Sequence, residues 1–140
     1  NEGEIEQIDS PLNLLENPKT LFVSSFILGN NILKVTKVGN EYLSCLGELN
    51  LSDLVKNKNK FFISISPKFI SIEKLKKANA TVISKEFLGD YLIYKVSING
   101  ESLRVRTNIN NVLKIGDKCS LKIKKDSFYF LYPGAKKLYI

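Results

Sequence analysis

The sequence predicts a mostly β fold, a small antiparallel barrel preceded by two short helices. Three observations carry this. Two steps of the form Ser-Pro and Asn-Pro open short apolar stretches near the start, apolar residues recur with a period of two from Asn31 onward, and turn dipeptides punctuate that second part at short intervals.

Residues 4–8 alternate polar and apolar after Gly3, and read as the second strand of a hairpin whose first strand would precede this chain. Ser10-Pro11 is a helix start, because Ser accepts from an orphan N–H and Pro at the first helical position loses no needed donor. It predicts a short helix over 11–16. Asn17-Pro18 repeats the signal for a second helix through about Leu28, with Leu21, Phe22, Phe26 and Ile27 as its apolar face and Gly29 as its stop. Strands are then expected at Ile32 to Val38 and Glu41 to Leu46 around Gly39-Asn40, with a helical turn at Leu51 to Val55 and a buried strand from Phe61 to Ser66 ended by Pro67. Ala80 to Phe87 reads as a strand broken at Gly89. Tyr91 to Ile98, Asn99-Gly100 and Glu101 to Thr107 form the strongest hairpin, since Asn-Gly is the preferred type I′ pair. Its first strand places Leu92, Tyr94, Val96 and Ile98 on one face, its second Leu103 and Val105, so Arg104 and Arg106 point the other way. After Gly116-Asp117 come strands at Lys118 to Lys124 and Ser127 to Leu131, and Pro133-Gly134 is read as the end of regular structure.

A chain of 140 residues with 44% hydrophobic content supports one core. No apolar run approaches the roughly 18 to 20 residues that a membrane span needs, so the chain is expected to be soluble. The polar, acidic first residues carry no secretory signal pattern and no initiating Met, which predicts a start inside a longer polypeptide. Cys45 and Cys119 have no CxxC spacing and there is no histidine, so they are read as reduced, small hydrophobes on strands, in an intracellular setting, with no metal site.

The net charge of +7 is almost all lysine, with Arg104 and Arg106 the only guanidinium groups. Lysine spread along the chain fits a solvated face better than a phosphate-tracking patch. The aromatics Phe61, Phe62, Phe69, Phe87, Tyr91, Tyr94, Phe128, Tyr129, Phe130 and Tyr132 could stack on bases, but their alternation favours packing inside the barrel. An OB-type nucleic-acid-binding module is therefore the alternative function rather than the leading one. With no His, no GxSxG, no paired-carboxylate motif, no GxGxxG and no GxxxxGK[ST], the sequence predicts neither catalysis nor a bound cofactor, so catalytic, cofactor and metal residues are expected to be none.

Residues 3–29, GEIEQIDSPLNLLENPKTLFVSSFILG, resemble the segment that closes the nucleotide-binding domain in ATP-binding subunits of ABC importers for sugars, polyamines and ferric iron. Gly3, Ile5, Glu6, Gln7, Ser10, Pro11, Pro18, Phe22, Val23, Phe26, Ile27 and Gly29 carry the match. Ile65-Ser66-Pro67-Lys68-Phe69-Ile70 is similar to the family's Val-Arg-Pro-Glu-x-Ile element, with Ser66 in place of Arg. Phe87-Leu88-Gly89, Tyr91 to Arg106 and Gly116-Asp117 resemble the second half of the family's C-terminal regulatory domain, the transport-associated OB domain. The resemblance implies that residues 1–28 are the tail of an ATPase domain and 29–140 an OB-like regulatory domain. It implies a parent ATPase using ATP and Mg outside this chain, and pairing into a homodimer. It also implies contact with the ATPase domain of the same chain and, through the parent, with membrane permease subunits at the cytoplasmic side of the inner membrane. The compact barrel leans toward the ferric-iron branch. Ile5, Leu21, Phe22, Phe26 and Ile27 are the expected interface, since they would lie against the ATPase domain.

Overall fold

The computed structural model describes residues 29–51, 58–132 and 136–139. The expected strand at 4–8 and both expected helices lie outside the described residues, as does the expected helical turn after Leu51. Among the described residues the structure is β throughout apart from one three-residue 3-10 turn, Pro67–Phe69. The strands are β1 (Asn31–Val38), β2 (Glu41–Ser44), β3 (Gly47–Leu49), β4 (Lys60–Ile65), β5 (Ile70–Lys74), β6 (Ala80–Phe87), β7 (Tyr91–Ile98), β8 (Glu101–Asn108), β9 (Lys118–Ile123), β10 (Phe128–Tyr132) and β11 (Lys136–Tyr139).

The mostly β reading holds, but the single barrel does not. The strands form two antiparallel sheets, one in the order β11-β10-β4-β1-β2-β3 and the other β5-β9-β6-β7-β8. The chain divides accordingly: Pro67–Lys125 is one compact unit, inserted in sequence into a second made of the described residues up to Ser66 and from Asp126. The physical reason is pairing choice. Alternation says which face a side chain takes and is silent on which strand lies beside it, and β10 pairs with the distant β4 rather than with β9, its neighbour in sequence. β11 also overturns the expectation that regular structure ends at Pro133-Gly134. Cys45 sits in the turn after β2 rather than on a strand, while Cys119 lies on β9; both are buried and neither is in a disulfide.

In the six-stranded sheet the register sets Leu33 opposite Ile63, Val35 opposite Phe61 and Leu131 opposite Ile63. These residues share one face and are buried, with Tyr129 and Ile65. Each large apolar side chain so removed from water is worth about 1.5 to 3 kcal/mol. On the other face Ser64 and Phe130 are opposite one another and buried as well, and the Ser64 hydroxyl accepts from Asn30 Nδ2 at 2.9 Å.

In the five-stranded sheet Leu92, Tyr94, Val96 and Ile98 of β7 are buried with Leu103 and Val105 of β8, while Arg104 and Arg106 are exposed, as the alternation requires. The sheet curls so that β8 comes back against β5 and the 3-10 turn, and no hydrogen-bonded ladder joins β8 to β5. The β7–β8 turn has φ 49° at Asn99 and 82° at Gly100, the two positive values that define type I′. At Gly39-Asn40 only Gly39 is positive, at 64°, the signature of a type II′ turn.

A Cβ built on Gly100 would meet nothing within 4 Å, so the cost of Gly100→Val is the backbone term alone. A β-branched residue held at positive φ is strained by about 1 to 2 kcal/mol. The urea midpoint of the variant is expected to fall accordingly, and a midpoint equal to that of the parent chain would contradict the turn.

Candidate interaction surface

The residues expected to form an interface, Ile5, Leu21, Phe22, Phe26 and Ile27, all lie outside the described residues. The site that the structure does define is in the unit Pro67–Lys125, and it begins with a bulge. β6 and β7 run in register from Ala80 opposite Ile98 to Val82 opposite Val96, then resume with Ser84 opposite Lys95, leaving Ile83 as the extra residue. A bulge reverses the alternation that follows it. Ala80 and Val82 point inward, and strict alternation would send Lys85 outward with the other lysines. With the phase reversed, Lys85 stands opposite the buried Tyr94 and shares its face.

There Lys85 closes a network around the β8–β9 connection. Its Nζ donates to the Leu113 carbonyl at 3.0 Å, and lies 5.6 Å from the ring centroids of both Phe87 and Tyr94. The Tyr94 hydroxyl donates to Asn111 Oδ1 at 2.8 Å, with the Leu113 carbonyl at 3.1 Å sharing the proton. Asn111 Oδ1 also accepts from Leu113 N at 3.2 Å, and Asn108 Oδ1 from Asn110 N at 3.0 Å, so two Asx turns shape the loop. At its far end Gly116 N donates to the Val82 carbonyl at 2.8 Å and Lys114 N to Asp117 Oδ2 at 2.9 Å. Burial pushes the Tyr94 hydroxyl above its ordinary pKa of 10.0, so it remains a protonated donor at neutral pH.

The loop is thus tied down along its length, with Leu113 buried as its anchor. It nonetheless turns Ile109, Val112 and Ile115 into solvent at 44%, 81% and 66% exposure, and Phe87 beside Lys85 is 62% exposed. Apolar side chains fixed in place by their backbone lose little further freedom on contact, which is what a docking surface requires. The sequence contains the signal in the Asn-Ile-Asn-Asn run at 108–111, whose side chains suit Asx turns, and in the isolated apolar residues between turn formers. The packing expectation for the aromatics holds for Phe61, Tyr94, Tyr129 and Phe130, and fails for Phe62 and Phe87, which are exposed.

The one helical piece among the described residues is the three-residue turn Pro67–Phe69, and their positive-φ glycines occupy strand ends and turns. Among the described residues no helix is long and apolar enough to cross a membrane, and no group of three His, Cys, Asp or Glu side chains converges on a metal position.

No family model matches the chain. Individual relatives do. The chain is similar to the Fe(3+) ions import ATP-binding protein FbpC of Fusobacterium nucleatum, 29% identical over 153 residues that cover 98% of this chain and 40% of the relative. It is similar to the sn-glycerol-3-phosphate import ATP-binding protein UgpC of Psychromonas ingrahamii, 32% identical over 150 residues, again covering 98% and 40%. It is similar to the spermidine/putrescine import ATP-binding protein PotA of a Nostoc species, 29% identical over 122 residues covering 75% and 32%. Its homologues are therefore ATP-binding proteins of ABC importers, and the chain spans about two fifths or less of their length. Proteins named for an iron ion, a glycerol phosphate and polyamines match at nearly the same identity, so the lean toward iron has no support.

Proposed function

We propose that this chain is the regulatory part of an ABC importer's ATP-binding subunit, acting by association rather than by bond-making chemistry. The observation that carries the reading is the coverage of three quarters or more of the chain by import ATP-binding proteins whose named cargoes differ. A segment shared across cargoes serves the machine rather than the selection of what is carried. On this reading residues 1–28 end the ATPase domain, 29–140 form the regulatory region, and ATP and Mg²⁺ are held by the rest of the subunit. The parent would contact permease subunits at the cytoplasmic side of the membrane.

Its role is to keep two ATPase subunits paired. Lasting association needs about 1,200 Å² of buried surface, and the tied loop with Val112 and Ile115 supports such a role, as does the apolar run Leu21, Phe22, Phe26 and Ile27. Light scattering on the chain at high micromolar concentration is expected to give about twice its 15.8 kDa mass, and a monomer would refute the pairing. The double substitution Val112→Asp with Ile115→Asp separates the loop from the N-terminal face, which Phe22→Asp addresses. Calorimetry with Mg-ATP is expected to show no binding, and micromolar binding would refute the assignment of the nucleotide site to the rest of the subunit.

A further inference from the structure

The outward face of the β6–β7–β8 ladder has a different character from the loop. Register places Lys95 directly opposite Arg104, with Arg106 two residues further along β8 and Ser84 on the other side of Lys95. Ser97 and Ser102 are opposite one another beyond the Lys95–Arg104 pair. All three cations are exposed, and among the described residues neither Lys95 nor Arg106 lies in an ion pair. The Arg106 guanidinium is 3.8 Å from the centroid of the Tyr91 ring, a stacking contact that fixes its plane and leaves its N–H edge for a partner. Like charges directly opposite on a sheet cost a few tenths of a kcal/mol or more, and the only arginines of the chain are both here.

We propose that this face docks an acidic segment of a partner protein, one that presents carboxylates at alternate positions of an extended strand. Arg104 and Arg106 are themselves alternate residues of a strand, about 6.7 Å apart, which is the spacing of side chains on the same side of an extended peptide. Arg pairs bidentately with carboxylates, Lys95 adds a third cation opposite Arg104, and the serine hydroxyls can meet remaining lone pairs. Other anionic partners suit the face less well. It is an open sheet surface rather than the concave site a small ligand needs. Its one aromatic ring is covered by Arg106, so bases have no platform to stack on. Its apolar side chains besides Tyr91 are Ile93, only 7% exposed, and Ile83 in the bulge, 41% exposed, and one such side chain is too little to hold a sheet face to a bilayer. The inference does not rest on the importer reading.

The test is a titration of the full chain, followed by amide chemical shifts, with a synthetic peptide of repeated Glu-Thr and with its Gln-Thr counterpart. Shifts are expected at Lys95, Arg104 and Arg106 with the Glu peptide only, weakening at least about tenfold between 50 and 300 mM salt as charge pairing is screened. Arg104→Gln with Arg106→Gln, both exposed, is expected to lower the affinity at least about tenfold while the chain still melts cooperatively. Lys95→Gln provides a second variant on a different strand. Absence of shifts at millimolar peptide, equal binding of the Gln peptide, full binding by the Gln variants, or tighter binding of an oligothymidylate than of the Glu peptide would each overturn the proposal.

Discussion

Tyr94→Ala is expected to lose about 4 kcal/mol of stability in the unit Pro67–Lys125, a large share of the roughly 5 to 15 kcal/mol that holds a domain folded. Tyr94 is 0% exposed and among the largest fully buried side chains. Removing a buried aromatic ring costs about 3 to 5 kcal/mol through lost transfer energy and the cavity left behind. Here the hydroxyl is removed too, and with it a donor to Asn111 Oδ1 and the Leu113 carbonyl. Tyr94→Phe separates the two contributions. It keeps the ring and is expected to cost about 1 kcal/mol, since both acceptors retain another donor. Urea melts of the three chains check the order, and a Tyr94→Ala midpoint near that of Tyr94→Phe would refute the cavity argument. The pH dependence follows with a definite sign. Burial raises the folded-state pKa of Tyr94, so this contribution is whole below its ordinary value of 10.0 and is lost as pH rises through the folded value. Cys119, raised above 9.0 first by burial and then by the Asp117 carboxylate, acts in the same sense from 9.0 upward. Tyr94→Phe should keep the Cys119 part of the alkaline decline and lose the Tyr94 part.

Lys85→Glu is the second large effect, with an expected loss of about 3 kcal/mol. The substitution removes a charge-assisted hydrogen bond to the Leu113 carbonyl, worth about 1.5 to 3 kcal/mol, and two contacts with ring faces of about 0.5 to 1 kcal/mol each. It then sets a carboxylate against a carbonyl oxygen. The damage should be local. Exchange of the Leu113 and Gly116 amides is expected to accelerate by two orders of magnitude or more, with much less change at Val96 and Leu103. Uniform acceleration would mean that Lys85 supports the whole unit rather than the loop.

What the sequence made legible is what depends on neighbours in sequence. Asn99-Gly100 is a turn because its φ values are a property of those two residues, and Leu92 to Val105 alternate because a hairpin pairs residues already close along the chain. β6 was legible in extent but not in facing, since the bulge at Ile83 answers to β7 and to the Gly116 N–H that reaches the Val82 carbonyl. For that reason Lys85 looked like one more solvated lysine. β3 and β5 were missed: β3 is three residues long, and β5 follows a Pro-led turn with only β9 as its ladder partner. The aromatic at 94 was readable as core, whereas its hydroxyl's role depends on Asn111, which arrives from beyond β8.

The place where the unit Pro67–Lys125 enters and leaves the other sheet has a consequence for the order of folding. β4 and β10, with Ser64 opposite Phe130, can pair only after about 60 intervening residues have been gathered. Closing a flexible loop of that length costs about 3.5 kcal/mol in chain entropy. Within the inserted unit, β5 and β9 bring Ile70 opposite Ile123 and so draw the two ends of the loop together. Once that unit is folded, the separation that β4 and β10 must bridge shrinks from some sixty residues to a few on either side. The six-stranded sheet therefore inherits its closing step from its own insertion. A destabilised insertion such as Tyr94→Ala should slow the refolding of the six-stranded sheet, which a probe at Ser64 or Phe130 in a stopped-flow experiment would register as a slower phase, and an unchanged rate there would show that the two sheets close independently.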